Sequence, residues 1–156
     1  MKRFRIQNEQ DTARVAEVLC ACLKGGVSVG LRGDLGAGKT TLVRYLVSAF
    51  HGDTRAVASP TYTLQHEYRL PNGMVLEHWD LYRLTSLPLE LEERVGSNVI
   101  RLIEWPEKCP EIQSELSFSL SLSITDTYGG VDRILSLEGI NDEKLEKALR
   151  AVVSEV

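Results

Sequence analysis

Cysteine is scarce in this chain: there are three in 156 residues, Cys20, Cys22 and Cys109. Neither their number nor their spacing builds a disulfide framework or a four-ligand zinc site. Cys20 and Cys22 fall in a helix-like stretch, where residues two apart point to nearly opposite sides. Cys109 stands alone, so all three read as reduced thiols of a cytoplasmic protein. Long apolar runs are missing as well. None reaches the ~18 residues of a membrane span, so no membrane partner is expected. Met1-Lys2-Arg3-Phe4-Arg5 leads into Ile6-Gln7-Asn8-Glu9, without the apolar core of an export signal. Positive charge is not in excess either. Lys and Arg number 18 against 22 Asp and Glu, a net charge of -4. A protein that held nucleic acid through its own global field would be basic, so any contact with RNA is local or made by a partner. Internal repeats, linkers and low-complexity segments are also absent.

What is present is the composition of a folded domain, 43% apolar and 26% charged. Domains run to about 100–200 residues, so residues 1–156 are read as one. Residues 2–6 suggest a first strand. Asn8 offers an N-cap, with Glu9 and Asp11 in the first turn where the helix dipole favours acids. Val15, Ala16, Leu19, Cys22 and Leu23 recur at helical spacing, giving a helix over about 9–24 that Gly25-Gly26 ends. Residues 27–31 are a short apolar run of buried-strand type. A glycine-rich turn and a helical pattern from Thr40 follow. Residues 64–70 and 74–81 alternate on either side of Pro71-Asn72-Gly73 and predict an antiparallel hairpin. Ser86 to about Arg94 predicts a short acidic helix, and 99–105 a strand. Over 117–125 the alternation predicts Phe118, Leu120, Leu122 and Ile124 inward and the serines outward. A last strand over 131–138 and a helix over 141–153 complete an α/β sandwich with both parallel and antiparallel strand pairs.

Gly33-Asp34-Leu35-Gly36-Ala37-Gly38-Lys39-Thr40 fits G-x-x-x-x-G-K-[ST], the phosphate-binding loop. Glycines let the backbone curl close to an anion. The exposed amides and the dipole of the following helix supply positive potential. Lys39 adds a mobile charge for the β- and γ-phosphates. The Thr40 hydroxyl is suited to Mg²⁺, and Thr41 to the α-phosphate. A chance match arises on the order of once in a hundred chains of this length. The strand pattern before it and the helix pattern after it supply the confirming context. The alternative is a glycine-rich turn with an exposed lysine.

Hydrolysis also needs acids near the metal and the attacking water. Asp80 and Glu104 each stand at the end of a predicted strand, where this fold class places metal carboxylates. Either could instead be a surface acid or a helix cap. His51, His66 and His78 lack partners at metal-ligand spacing and read as structural or surface residues rather than metal ligands, with His78, the neighbour of Asp80, the exception to watch. Arg44 reads as facing solvent or a partner, and Arg83 as paired with a carboxylate, the alternative being an internal arginine finger on phosphate.

Four blocks in order carry a resemblance: residues 33–41, Ser59-Pro60-Thr61-Tyr62-Thr63, Asp80-Leu81-Tyr82-Arg83-Leu84 and Ile103-Glu104-Trp105-Pro106-Glu107. Together they are similar to the TsaE family, formerly YjeE, over roughly residues 4–140. These are small bacterial P-loop ATPases of tRNA threonylcarbamoyladenosine (t6A) modification. The resemblance implies a P-loop NTPase-like three-layer α/β sandwich with a mixed sheet. It implies ATP and Mg²⁺ as ligands. Phosphate contacts would come from Gly33, Leu35, Gly36, Ala37, Gly38, Lys39, Thr40 and Thr41, and Mg²⁺ would be held by Thr40, Glu104 and Asp80. Lys39, Asp80, Glu104 and Thr61 would be the catalytic set, Thr61 from a switch-like loop beside the γ-phosphate. Glu9 and Thr12 would lie near the adenine, Trp105 beside the site, and Arg133 near the nucleotide. TsaD and TsaB would be the partners, with tRNA reached through them. Two departures from the family pattern stand out. The segment Arg94-Val95-Gly96-Ser97-Asn98 is shortened, and Tyr45 rather than glycine follows Arg44.

The reading that follows is a Mg²⁺-dependent ATPase. Its rivals are a non-catalytic ATP- or ADP-binding regulatory module and a small nucleoside or metabolite kinase, although no lid segment is evident. A GTPase is disfavoured because no N-K-x-D segment occurs.

Overall fold

The computed structural model describes residues 1–58, 60 and 63–156. Among them, seven strands form one sheet: β1 (Lys2–Ile6), β2 (Val27–Arg32), β3 (Gln65–Arg69), β4 (Val75–Asp80), β5 (Val99–Glu104), β6 (Phe118–Thr127) and β7 (Gly130–Glu138). Their order across the sheet is β1-β7-β6-β2-β5-β4-β3. The central β6, β2, β5 and β4 are mutually parallel, while β3 on one side and β7 and β1 on the other are antiparallel to their neighbours. The anticipated mixed sheet is therefore present.

Helices α1 (Glu9–Cys22), α2 (Lys39–Ala49) and α4 (Glu143–Arg150) share one core with one face of the sheet. The Asn8 side chain accepts a hydrogen bond from the Asp11 amide at 2.9 Å, so the predicted cap starts α1. Val15, Ala16 and Leu19 point inward from it against Val43, Leu46 and Val47 of α2. The opposite face of the sheet buries Trp79, Leu81, Leu91, Ile103, Cys109 and Ile112 under a thinner layer. That layer consists of α3 (Leu89–Glu92) and short 3-10 turns at Pro106–Lys108 and Pro110–Glu115. Trp79 is thus a core residue of this face.

Two expectations are corrected. The acidic helix spans only Leu89–Glu92, not 86–94. Pro88 disfavours helix at the residue before it. At the other end, Arg101 donates to the carbonyls of Glu93 and Glu90 at 3.2 and 3.4 Å, so these carbonyls bond to a side chain instead of a further helical turn. The second correction is on β6. Phe118, Leu120 and Leu122 are buried, but Ile124 is 48% exposed and Ser119 is buried. β6 pairs with β2 only as far as Ser121 and continues beside β7 alone, so Ile124 lies past the central strands. Ser119 fits a close approach, since a Cβ on Gly30 would lie 2.5 Å from its Oγ. Residues 94–98 turn straight into β5: the Val99 amide bonds the Gly96 carbonyl and the Val75 amide bonds that of Asn98. No helix among the described residues is long and apolar enough to cross a membrane.

Candidate functional site

Parallel strands deliver their C-terminal ends to one edge of a sheet, and loops there converge. At that edge β2 runs into residues 33–38, and α2 begins at Lys39. The loop needs glycine where backbone and neighbours crowd. Gly33 has φ 138°, and a Cβ there would lie 2.3 Å from the Leu122 carbonyl oxygen. Gly38 has φ 105°, and a Cβ there would meet the Arg133 guanidinium at 3.0 Å. Arg133 reaches across from β7, its Nε donating to the Ala37 carbonyl at 2.9 Å and its Nη2 to Gly36 at 3.5 Å. It braces the loop from behind, so its first contact is with protein backbone.

Lys39 is 6% exposed. Its Nζ donates to the Gly33 carbonyl and, at 3.1 Å, to that of Asp34. The ammonium also lies 4.6 Å from the centroid of the Trp105 ring, within cation–π range. Trp105 has φ 56° and ψ 48°, a left-handed conformation for a bulky residue, which costs about 1–3 kcal/mol. The bend lies where β5 ends and Pro106 begins a 3-10 turn. It sets the indole 4.9 Å from the Tyr82 ring, centroid to centroid.

Asp80 and Glu104 are directly opposed, at the ends of β4 and β5. They are 5% and 3% exposed. The Tyr82 amide donates to Asp80 Oδ1 at 2.8 Å, and His78 Nε2 lies 2.9 Å from Glu104 Oε2. Both acids line one cavity of about 220 Å³ with Leu35, Gly36, Ala37, Gly38, Lys39, Thr40, Thr41 and Trp105. A smaller recess of about 40 Å³ is lined by Glu9, Thr12, Gly38, Thr41 and Arg133. Gly38 and Thr41 belong to both, so the two hollows adjoin across the start of α2. Glu9 is held by the Tyr45 hydroxyl, 2.8 Å from its Oε2.

The fold therefore gathers nearly every anticipated site residue along one edge. Ser59 and Thr61 lie outside the described residues. His78, set apart in the sequence by its nearness to Asp80, touches Glu104, whereas Tyr45, which bonds Glu9, and Tyr68, which bonds His78, were not singled out for the site. For His78 the available signal is its spacing of two from Asp80, which places both on the same face of a strand.

The donor set suits a small hard cation. The Thr40 hydroxyl and two carboxylates offer oxygen only, as Mg²⁺ prefers. Among the described residues no group of three or more His, Cys, Asp or Glu stands ready to hold a metal. An ion that keeps waters and shares phosphate oxygens fits such a site.

The model of the family described as threonylcarbamoyl adenosine biosynthesis protein TsaE matches residues 6–133. The chain belongs to the TsaE family. It is 36% identical over 125 residues to the tRNA threonylcarbamoyladenosine biosynthesis protein TsaE of Rickettsia felis, covering 78% of this chain and 72% of that one. It is 38% identical over 109 residues to the TsaE of Aquifex aeolicus, covering 69% and 79%. Among solved structures, Bacillus subtilis YdiB superposes with a TM-score of 0.64 at 27% identity, covering 97% of both chains. Membership of TsaE associates the chain with t6A biosynthesis and agrees with the P-loop-like α/β fold.

Proposed function

We propose that this TsaE-family chain is a Mg²⁺-dependent ATPase that supports turnover of a TsaB–TsaD complex modifying tRNA in the cytoplasm. The observation that carries the reading is the shared cavity. Lys39 and Thr40 at the head of α2 face the same space as the strand-end carboxylates Asp80 and Glu104. The loop amides and the N-terminus of α2 receive the phosphates. Lys39 exchanges its two carbonyl partners for β- and γ-phosphate oxygens. Thr40, Glu104 and Asp80 would hold Mg²⁺, which neutralises charge developing on the phosphate oxygens. Asp80, with Thr61, orders the attacking water. The recess beside Glu9, Thr12 and Arg133 takes the nucleoside end, and Trp105 borders the phosphate end. Preorganised charges of this kind act without reorganising during the reaction.

The test is ATP hydrolysis with Mg²⁺, alone and with the TsaB–TsaD pair. Glu104→Ala is expected to fold, to bind nucleotide and to turn over about 100- to 1000-fold more slowly, the usual loss for one preorganised group. Normal turnover in that variant removes Glu104 from the mechanism. Tight nucleotide binding with no stimulation by the pair favours a regulatory module instead. Phosphate transfer to nucleosides marks a kinase.

A further inference from the structure

Side chains alternate along a strand, so His78 and Asp80 of β4 share a face with Leu102 and Glu104 of β5. His78 stands opposite Leu102 and reaches diagonally to the next residue on that face, with Nε2 2.9 Å from Glu104 Oε2. On the other flank, Tyr68 of β3 stands opposite Leu76. It also reaches diagonally, its hydroxyl lying 3.4 Å from His78 Nδ1. The same hydroxyl lies 3.5 Å from the carbonyl oxygen of Ala58, the residue before Ser59. His78 is fully buried, and Glu104 and Tyr68 are 3% and 5% exposed. A polar line thus crosses three strands beneath the cavity.

Chemistry sets its direction. A carboxylate only accepts, so Nε2 carries a proton and donates a hydrogen bond to Glu104 Oε2. In the neutral ring Nδ1 is then the acceptor of the hydrogen bond from the Tyr68 hydroxyl. Burial pushes the Tyr68 phenol up, which keeps it a neutral donor. That one proton has two acceptors at nearly equal distance, Nδ1 and the Ala58 carbonyl. A stronger bond to one weakens the other.

We propose that His78 and Tyr68 are positioning residues for the metal carboxylate. His78 engages Oε2 of Glu104, so Oε1 is the oxygen left for Mg²⁺ or its bound water. The Tyr68 hydroxyl is shared between His78 and the Ala58 carbonyl, which ties the orientation of Glu104 to the backbone at Ala58. This rests on the proposed role of Glu104. It is the arrangement by which a hydrogen-bonded neighbour fixes a metal ligand.

The test uses the full chain with ATP and with Mn²⁺ as a paramagnetic probe of metal affinity. His78→Leu removes the donor, and His78→Gln keeps an N–H near the Nε2 position. Glu104→Ala serves as the reference. Metal affinity of the ATP complex is expected to fall about 10- to 100-fold in His78→Leu, as for other partners of metal ligands, with ATP affinity in the absence of metal unchanged. His78→Gln is expected to recover most of the loss, and Tyr68→Phe to lose less than His78→Leu. Unchanged metal affinity in His78→Leu, beside a loss in Glu104→Ala, overturns the positioning role and leaves the role of Glu104 standing. No loss in Glu104→Ala overturns that role, and this inference with it. The wild-type chain gives a check that no folding defect can obscure. ¹⁵N spectra should show His78 protonated at Nε2, and an unprotonated Nε2 overturns the proposal.

Discussion

On the proposed reading, Lys39 is a single side chain kept ready for an anion. Its ammonium is largely buried, yet it is bonded to two backbone carbonyls and faces an aromatic ring. None of these partners carries a full negative charge, so phosphate oxygens can replace them with a gain in electrostatic energy. A hydrogen bond to a charged group contributes about 1.5–3 kcal/mol. Lys39→Ala is therefore expected to weaken ATP binding about 10- to 100-fold by calorimetry, while leaving the urea midpoint close to wild type. Far from the site, Asp53 gives a pH signature. The Arg55 side chain, and then the Arg55 amide, bond its carboxylate and hold its pKa down at about 2, against an ordinary 3.8. The folded value lies below the unfolded one. Its stabilising contribution is thus fully present above pH 3.8 and is lost as pH falls through about 2. A ¹³C titration of the Asp53 carboxyl should show the low midpoint, and Arg55→Ala should raise it.

At the level of elements, α1 depends on its cap. Asn8 satisfies one of the amides that a helix start leaves open. Asn8→Ala is expected to lower unfolding free energy by about 1 kcal/mol in urea titration, with nucleotide affinity retained. This start is legible in the sequence because cap, acidic first turn and apolar spacing are all local signals. So is the head of α2, where eight consecutive residues specify loop, lysine and hydroxyl. Asp80 and Glu104 are legible as strand ends, but their direct opposition requires the β4–β5 register, which alternation alone does not fix. The end of α3 is set by Arg101, which binds the Glu93 and Glu90 carbonyls from β5. The exposure of Ile124 depends on where the pairing of β6 with β2 stops. The line from Tyr68 through His78 to Glu104 needs the register of three strands at once. Each of these features is decided by contacts between elements distant in the chain, and local pattern carries no record of them.

For the whole molecule, the site is a property of the assembled sheet. The loop after β2, the acids of β4 and β5, and the brace from β7 meet only when strands from Val27 to Glu138 have paired. The net charge of -4 bears on what such a molecule can hold. Nucleic-acid affinity comes chiefly from cationic groups that displace counterions, and it falls steeply with salt. An acidic chain lacks that general attraction, whereas a nucleotide needs only the local field at the head of α2. The proposed division of labour follows: ATP on this chain, and most of the tRNA surface on its partners. Labelled tRNA titrated with the isolated chain to about 10 μM, at about 150 mM salt, should show no saturable change in anisotropy. Addition of a TsaB–TsaD pair should produce the signal. Binding by the isolated chain tighter than about 1 μM, strengthening as salt is lowered, would instead place an RNA surface on this chain despite its overall charge.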